Sequence, residues 1–306
     1  MQQSLSTTPR TSTSQFDYHL SLLNHKSDSQ RRESLAHLTT TLEVDGPPQP
    51  VSSILSKIQP LILDTSLAVR TQLLKLLNTL PADNVGQNAE QLLLYTRAGM
   101  THLSTGIQLS ALDVLEWLLI TAGPQVVSAP GGWLKTLATF TILLRWNSES
   151  MTAHTGMVTA VASGWKANTS ATAGRSPEQI NLVAKALRLL SVFFLAGLLE
   201  TLDLAGLQAE RARRNFPYTH LDQHMISQHP DPFGYLNLFG NSRDEESTAY
   251  GYASERQKVF EEKYAQVFSA GLDSAKKEGG NVGREASHCA KVLERCRSRY
   301  EVMVKR

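Results

Sequence analysis

Through the first half of the chain, apolar residues recur at steps of three and four, the spacing of one helix face. Leu35, Leu38 and Leu42 form one run, Leu73, Leu76 and Leu80 a second, and Ala111, Val114 and Leu118 a third. A shift of 38 residues carries the first run onto the second, and a further 38 carries that onto the third. The first shift also brings Arg32 onto Arg70. Upstream positions register as well: Phe16, Ile54 and Leu92 coincide, as do Leu20 with Ile58 and Leu23 with Leu61. Each period therefore predicts two helices, the first members over 16–24, 51–63 and 88–102 and the second over 29–42, 67–80 and 107–121. Gly46-Pro47-Pro48 and Pro81-Ala82-Asp83-Asn84 supply turn signals between units.

One helix pair cannot bury its apolar face, whereas stacked pairs can. A period near 40 holding two helices predicts an all-α, HEAT/armadillo-like helical-repeat solenoid. Asp64 followed by Val69-Arg70 resembles the HEAT signature, in which a turn Asp and an Arg opening the second helix satisfy exposed helix-end groups along the stack. Arg32, Asp64 and Arg70 are the expected ladder. Lys26 in the first unit, and His102 and Gln108 in the third, interrupt it.

Beyond the repeats the pattern changes. Gly123-Pro124 through Pro130-Gly131-Gly132 reads as a breaker, followed by a helix over 133–146 and a small, polar stretch over 147–175 with one weak helix. Ser176-Pro177-Glu178-Gln179 is a helix start, with a capping Ser, Pro in the first turn and Gln at the capping-box position. The helix that follows, to about 204, is apolar on several sides and so predicts burial. From Arg211 onward Pro, His, Asp and Gly dominate, around an apolar island from Pro232 to Gly240. Charged helices over 254–277 and 284–304 follow, parted by Glu278-Gly279-Gly280. The expected division is a disordered tail over 1–14, a helical-repeat domain over 15–210, and a helical, partly extended C-terminal tail over 211–306.

Composition narrows the reading. The chain is 41% hydrophobic and 19% charged, a globular balance, and its net charge of +2 is too small to argue for nucleic-acid binding by itself. Cys289 and Cys296 lie seven apart on a helical stretch, two turns from each other and out of disulfide range, which fits a reducing compartment. The Ser-, Thr- and Gln-rich start has no secretory pattern. The apolar run Leu189 to Leu199 is shorter than the roughly 20 residues a membrane span needs.

Candidate chemistry is sparse. His220, Asp222, His224 and His229 lie among Pro217, Pro230 and Pro232, with no Cys or Glu pair to complete a metal shell, so they read as a surface loop and no metal is expected. Gly131-Gly132 lacks the Lys-Ser/Thr of a phosphate loop and reads as a tight turn. No Gly-x-Ser-x-Gly elbow occurs, and His288 and Cys289, as helix neighbours, point apart. Asp113 and Glu116 read as the solvated edge of a repeat helix. No catalytic constellation and no cofactor are expected. Arg211, Arg213 and Arg214, and on the last helix Lys291, Arg295, Arg297, Arg299, Lys305 and Arg306, read as solvated basic faces, with direct RNA contact left open. Phe233, Tyr235, Leu236, Leu238 and Phe239 are the partner-docking candidates; the alternative is a clamp folded onto the body.

Several blocks together carry a family resemblance: 27–38, Gln72-Leu73-Leu74-Lys75-Leu76-Leu77, 95–103, 109–119 and 131–137, with the island 233–240. They resemble the fungal pre-rRNA-processing family named for processing of internal transcribed spacer two, subunit one, whose animal relative is testis-expressed protein ten. The resemblance covers 16–146 in detail and implies a nuclear, non-catalytic scaffold. Its implied partners are a larger helical-repeat protein, a WD-repeat propeller protein and a midasin-type AAA ATPase, on large-subunit precursors and in removal of that spacer. A solenoid of this kind also suits a nuclear transport or trafficking adaptor, for which three clear repeats would be a short array.

Overall fold

The computed structural model describes residues 12–146, 176–199 and 248–304, and the described residues are helical. The first helices are α1 (Ser12–Leu22), α2 (Asp28–Asp45), α3 (Val51–Ile58), α4 (Leu67–Leu77), α5 (Ala82–Gln87) and α6 (Ala89–Met100). They are followed by α7 (Thr105–Ser128), α8 (Leu134–Leu144), α9 (Pro177–Leu198), α10 (Ala253–Lys263), α11 (Ala265–Glu278) and α12 (Gly280–Val304). The longer helices form a row in which α2 packs on α4, α4 on α7, α7 on α9 and α9 on α12. A second layer covers it, with α1 on α2, the 3-10 turn Gln59–Leu63 on α4 and α6, α6 on α7, and α8 on α6 and α9.

The apolar spacing explains the burial. Leu35, Leu38 and Leu42 on α2, Leu73, Leu76 and Leu77 on α4, and Ala111, Leu115 and Leu118 on α7 all lie in one continuous core. Departures from the expected spans have local causes. Pro60 has no N–H to continue α3, so the chain tightens into the 3-10 turn Gln59–Leu63. The 81–84 turn signal instead opens the short helix α5, with Pro81 as its N-cap. The breaker at Gly123-Pro124 does not end α7: Ala122 alone leaves helical geometry (φ −143°, ψ 39°), and the chain re-enters helix to Ser128. This is the kink expected where proline removes a hydrogen bond. The capping box at α9 is present, with Gln179 N–H donating to Ser176 Oγ and Ser176 N–H to Gln179 Oε1.

By length and composition α7 and α9 could each cross a bilayer. Their contact argues for a protein core instead. Lys185 Nζ on α9 meets Asp113 at 2.5 Å and the Leu109 carbonyl at 3.1 Å, and Arg188 meets Glu116 at 2.6 Å. Asp113 and Glu116 are thus struts between two helices rather than a free solvated edge.

The C-terminal helices do not form an extended tail over their described length. They share the core of α7–α9 through an aromatic cluster. Trp133 stacks on Phe193 (centroids 4.9 Å apart), Phe194 meets Phe260 and Phe268, and Trp146 meets Phe268 edge-on. The expected single helix over 254–277 breaks at Tyr264, whose buried ring belongs to this cluster. Arg256, 5% exposed, closes the joint. It donates to the Gly197 carbonyl (2.7 Å), the Tyr250 carbonyl (2.6 Å), the Gly251 carbonyl (3.0 Å) and Ser128 Oγ (3.2 Å), while its own carbonyl accepts from Trp133 Nε1 (3.1 Å).

Candidate partner surfaces

The expected ladder begins at the turn before α4. Asp64 accepts from Arg31 Nε (2.8 Å) and Nη2 (3.0 Å) and from the Ser66 N–H (2.8 Å). Arg31 Nη1 in turn caps the His25 and Lys26 carbonyls, at 2.8 and 3.0 Å. Arg70 donates to the Asp64 and Thr65 carbonyls and, through Nε, to Ser110 Oγ on α7 at 3.0 Å. Asp64 and Arg70 are therefore together, whereas Arg32 is exposed and Arg31 occupies the expected place. The spacing held the clue: Arg31, Leu35, Leu38 and Leu42 step by four, three and four along the buried face of α2, and Arg32 is turned away from it. Burial lowers the Arg70 pKa, with Asp64 opposing. The row satisfies turn carbonyls and positions no reactive group.

A groove of about 300 Å³ lies between the α6–α7 turn, the end of α8 and the start of α9. Met100, Leu182 and Val183 line it with Gln108, Gln179 and Arg145. Leu103, fully exposed, and Ile142, half exposed, stand at its edge. Arg145 is the one described non-glycine residue with positive φ (59°). It caps α8 by a Schellman pattern: its N–H bonds the Ile142 carbonyl at 3.1 Å and the Trp146 N–H bonds the Thr141 carbonyl at 2.8 Å. A long side chain in this conformation costs about 1–2 kcal/mol, and here it leaves a cation on the rim of a groove lined by both apolar and polar side chains. The groove can seat apolar side chains.

Elsewhere chemistry is muted. Among the described residues no three His, Cys, Asp or Glu side chains converge for a metal. Cys289 and Cys296 are buried on α12, and burial pushes the Cys289 thiol up to about 12, far from thiolate reactivity. Arg297 pairs with Glu261 at 2.6 Å, and Lys291 and Arg295 are exposed. Phe233, Tyr235, Leu236, Leu238 and Phe239 lie outside the described residues, as do His220, Asp222, His224, His229 and the 211–214 arginines.

Residues 83–194, from α5 through most of α9 and including the groove, match the family model Ipi1_N, described as a Rix1 complex component involved in 60S ribosome maturation. The pre-rRNA-processing protein ipi1 of Neosartorya fischeri is 45% identical over 303 residues, which is 96% of this chain and 84% of the relative. This chain belongs to the Ipi1 family. Another Ipi1 protein, from Aspergillus fumigatus, is also 45% identical over 96% of this chain and 84% of its own. The Chaetomium thermophilum member is 41% identical over 96% of this chain and 83% of its own. A chain of a solved Rix1-Rea1 pre-60S particle superposes with a TM-score of 0.43 at 22% identity, over 62% of this chain and 69% of that one. The Ipi1 match spans both the helix row and the aromatic joint, so the C-terminal helices belong to what the relatives share in length.

Proposed function

We propose that this protein is a non-catalytic scaffold subunit of a nuclear complex that matures the large ribosomal subunit and takes part in removing internal transcribed spacer two from pre-rRNA. The observation that carries the reading is the 45% identity over 96% of the chain to proteins named for pre-rRNA processing. The role needs binding surfaces and no reactive centre. The two-layer packing and the Arg31–Asp64–Arg70 row support reading the N-terminal half as a HEAT-like stack, which offers edges to partners. The partners proposed are a larger helical-repeat protein, a WD-repeat propeller protein and a midasin-type AAA ATPase on pre-60S particles. The groove beside Leu103 and Ile142, and the island with Phe233, Tyr235, Leu236, Leu238 and Phe239, are the proposed docking points.

Tagged protein purified from its own cells after nuclease treatment tests this. The expected result is recovery of these chains by mass spectrometry. It should weaken in a Leu103→Asp/Ile142→Asp variant and, separately, in Phe233→Ala/Phe239→Ala. Recovery of transport GTPases or membrane coats without any assembly factor overturns the reading.

A further inference from the structure

The last helix has two opposite faces. Val282, Ala286, Cys289, Leu293 and Cys296 are buried, on the side of α12 that meets α9 and α11. On the opposite side Arg284, His288, Lys291 and Arg295 step by four, three and four, and all four are exposed. At about 1.5 Å rise per residue the row runs for about 16 Å. Glu285 and Glu294 fall to its two flanks, so the basic line is not interrupted by acid. Across the helix start, where Gly279 and Gly280 reverse the chain at φ 71° and 60°, Lys276 faces the same cleft. The cleft, about 490 Å³ and open to solvent, is lined by Lys276, Arg284, Ser287, His288 and Lys291 over a floor of glycines. No carboxylate lines it.

Lys291 and Arg295, four apart, repel by about 0.2–0.5 kcal/mol, and Arg284 stands two turns before Lys291 on the same line. Arg31 pairs with Asp64, Lys185 with Asp113, Arg188 with Glu116, Arg297 on the same helix with Glu261, and Lys276 itself with Asp273 at 2.9 Å, whereas Arg284, Lys291 and Arg295 have no ion pair among the described residues. An anion laid along the face would relieve that repulsion and reach all three cations. The row also has no apolar anchor, which a protein partner's hot spot would require, and no aromatic platform for bases. What remains is three exposed cations along one line, beside a shallow, glycine-floored cleft, the chemistry of phosphate-backbone contact without base readout.

We propose that Arg284, Lys291 and Arg295, with His288 between them and Lys276 across the cleft, bind an RNA phosphate backbone without sequence preference. The choice of RNA among polyanions rests on the ribosome-maturation reading above.

Fluorescence anisotropy of the full chain with a labelled single-stranded RNA of mixed sequence tests it. Three phosphate contacts predict that affinity falls about 20-fold between 50 and 200 mM salt. The triple variant Arg284→Gln/Lys291→Gln/Arg295→Gln should bind at least about tenfold more weakly at 50 mM salt and lose most of the salt dependence. Lys57→Gln/Lys75→Gln/Lys258→Gln, which removes the same charge from exposed positions elsewhere, should bind like the parent. Equal thermal melting of the two variants excludes misfolding. No binding by the parent, equal weakening in both variants, or a polyglutamate peptide that binds the row more tightly than RNA overturns the proposal. The nuclease-treated purification, repeated on the triple variant, separates the two readings. Retained partners with lost RNA binding support both, and a parent chain that binds RNA but recovers no assembly factor removes the maturation reading alone.

Discussion

The helices α1–α4 and the joint between α8–α9 and α10–α12 are built on opposite plans. In the first, helices rest on others one to three elements away in the chain, the buried residues are mostly Leu, Ile and Val, and the polar ties reach from one turn to the next, as Arg31 reaches Asp64 across 33 residues. In the second, aromatic rings meet across long sequence separations, and Arg256 reaches Ser128 across 128 residues. A stack of neighbours spreads its stability over many equivalent interfaces. A joint closed by a few large rings and one buried cation concentrates it, and must recoup a larger loop-closure entropy.

The widest gap between the two plans should come from removing that cation. Arg256→Met leaves three carbonyls and a hydroxyl without their donor, at about 1–3 kcal/mol for each group that water cannot reach. A loss of about 3–5 kcal/mol is expected in denaturant unfolding. A loss no greater than that of Arg31→Met would erase the distinction. Next come the close approaches at the rings. A Cβ at Gly197 would lie 2.2 Å from the Trp133 ring, and one at Gly271 2.2 Å from the Trp146 ring. Gly197→Ala and Gly271→Ala should each cost about 1–3 kcal/mol by overpacking, read as lower Tm.

In the stack, Asp64→Asn keeps an acceptor for Ser66 but loses the charge that Arg31 grips, a cost of about 1 kcal/mol. Hydrogen exchange should quicken in α2 and α4 and stay unchanged in α9–α12. The smallest effect concerns pH. Burial, aided by His37 stacked at 3.9 Å, holds the His19 pKa below the usual 6.5. The unfolded chain then binds the proton more readily, so this contribution is complete above pH 6.5 and is lost as pH falls below it. Exchange in α1 should therefore rise on going from pH 7.5 to 5.5, once corrected for intrinsic rates, and His19→Phe should blunt the rise.

Legibility in the sequence follows the same divide. The α2, α4 and α7 faces were readable because a helix buried on one side writes its contacts at steps of three and four. Asp64 and Arg70 were readable from that frame, and Arg31 was one step from being read, since it continues the Leu35–Leu38–Leu42 line. The joint left no periodic trace. Nothing local tells Trp133 that Arg256 will accept its N–H, and the aromatic residues of α10 and α11 look like part of a charged helix. Pro124 showed as a stop because proline does interrupt helices, yet here the chain resumed after one residue. On α12 the sequence already marks Lys291 and Arg295 as basic, but Arg284 joins their line only around the helix, where Glu285 and Glu294 fall to the flanks.

The clamp at Arg256 also has a genetic side. Three of the four acceptors described for it are main-chain carbonyls, and its own carbonyl accepts from the Trp133 indole N–H. Substitutions at Gly197, Tyr250 or Gly251 can move those carbonyls but cannot delete them, so no compensating change at those sites can answer a change at 256. The closure of the joint thus leans on one codon as well as on its rings, and its partners are backbone that no substitution can remove.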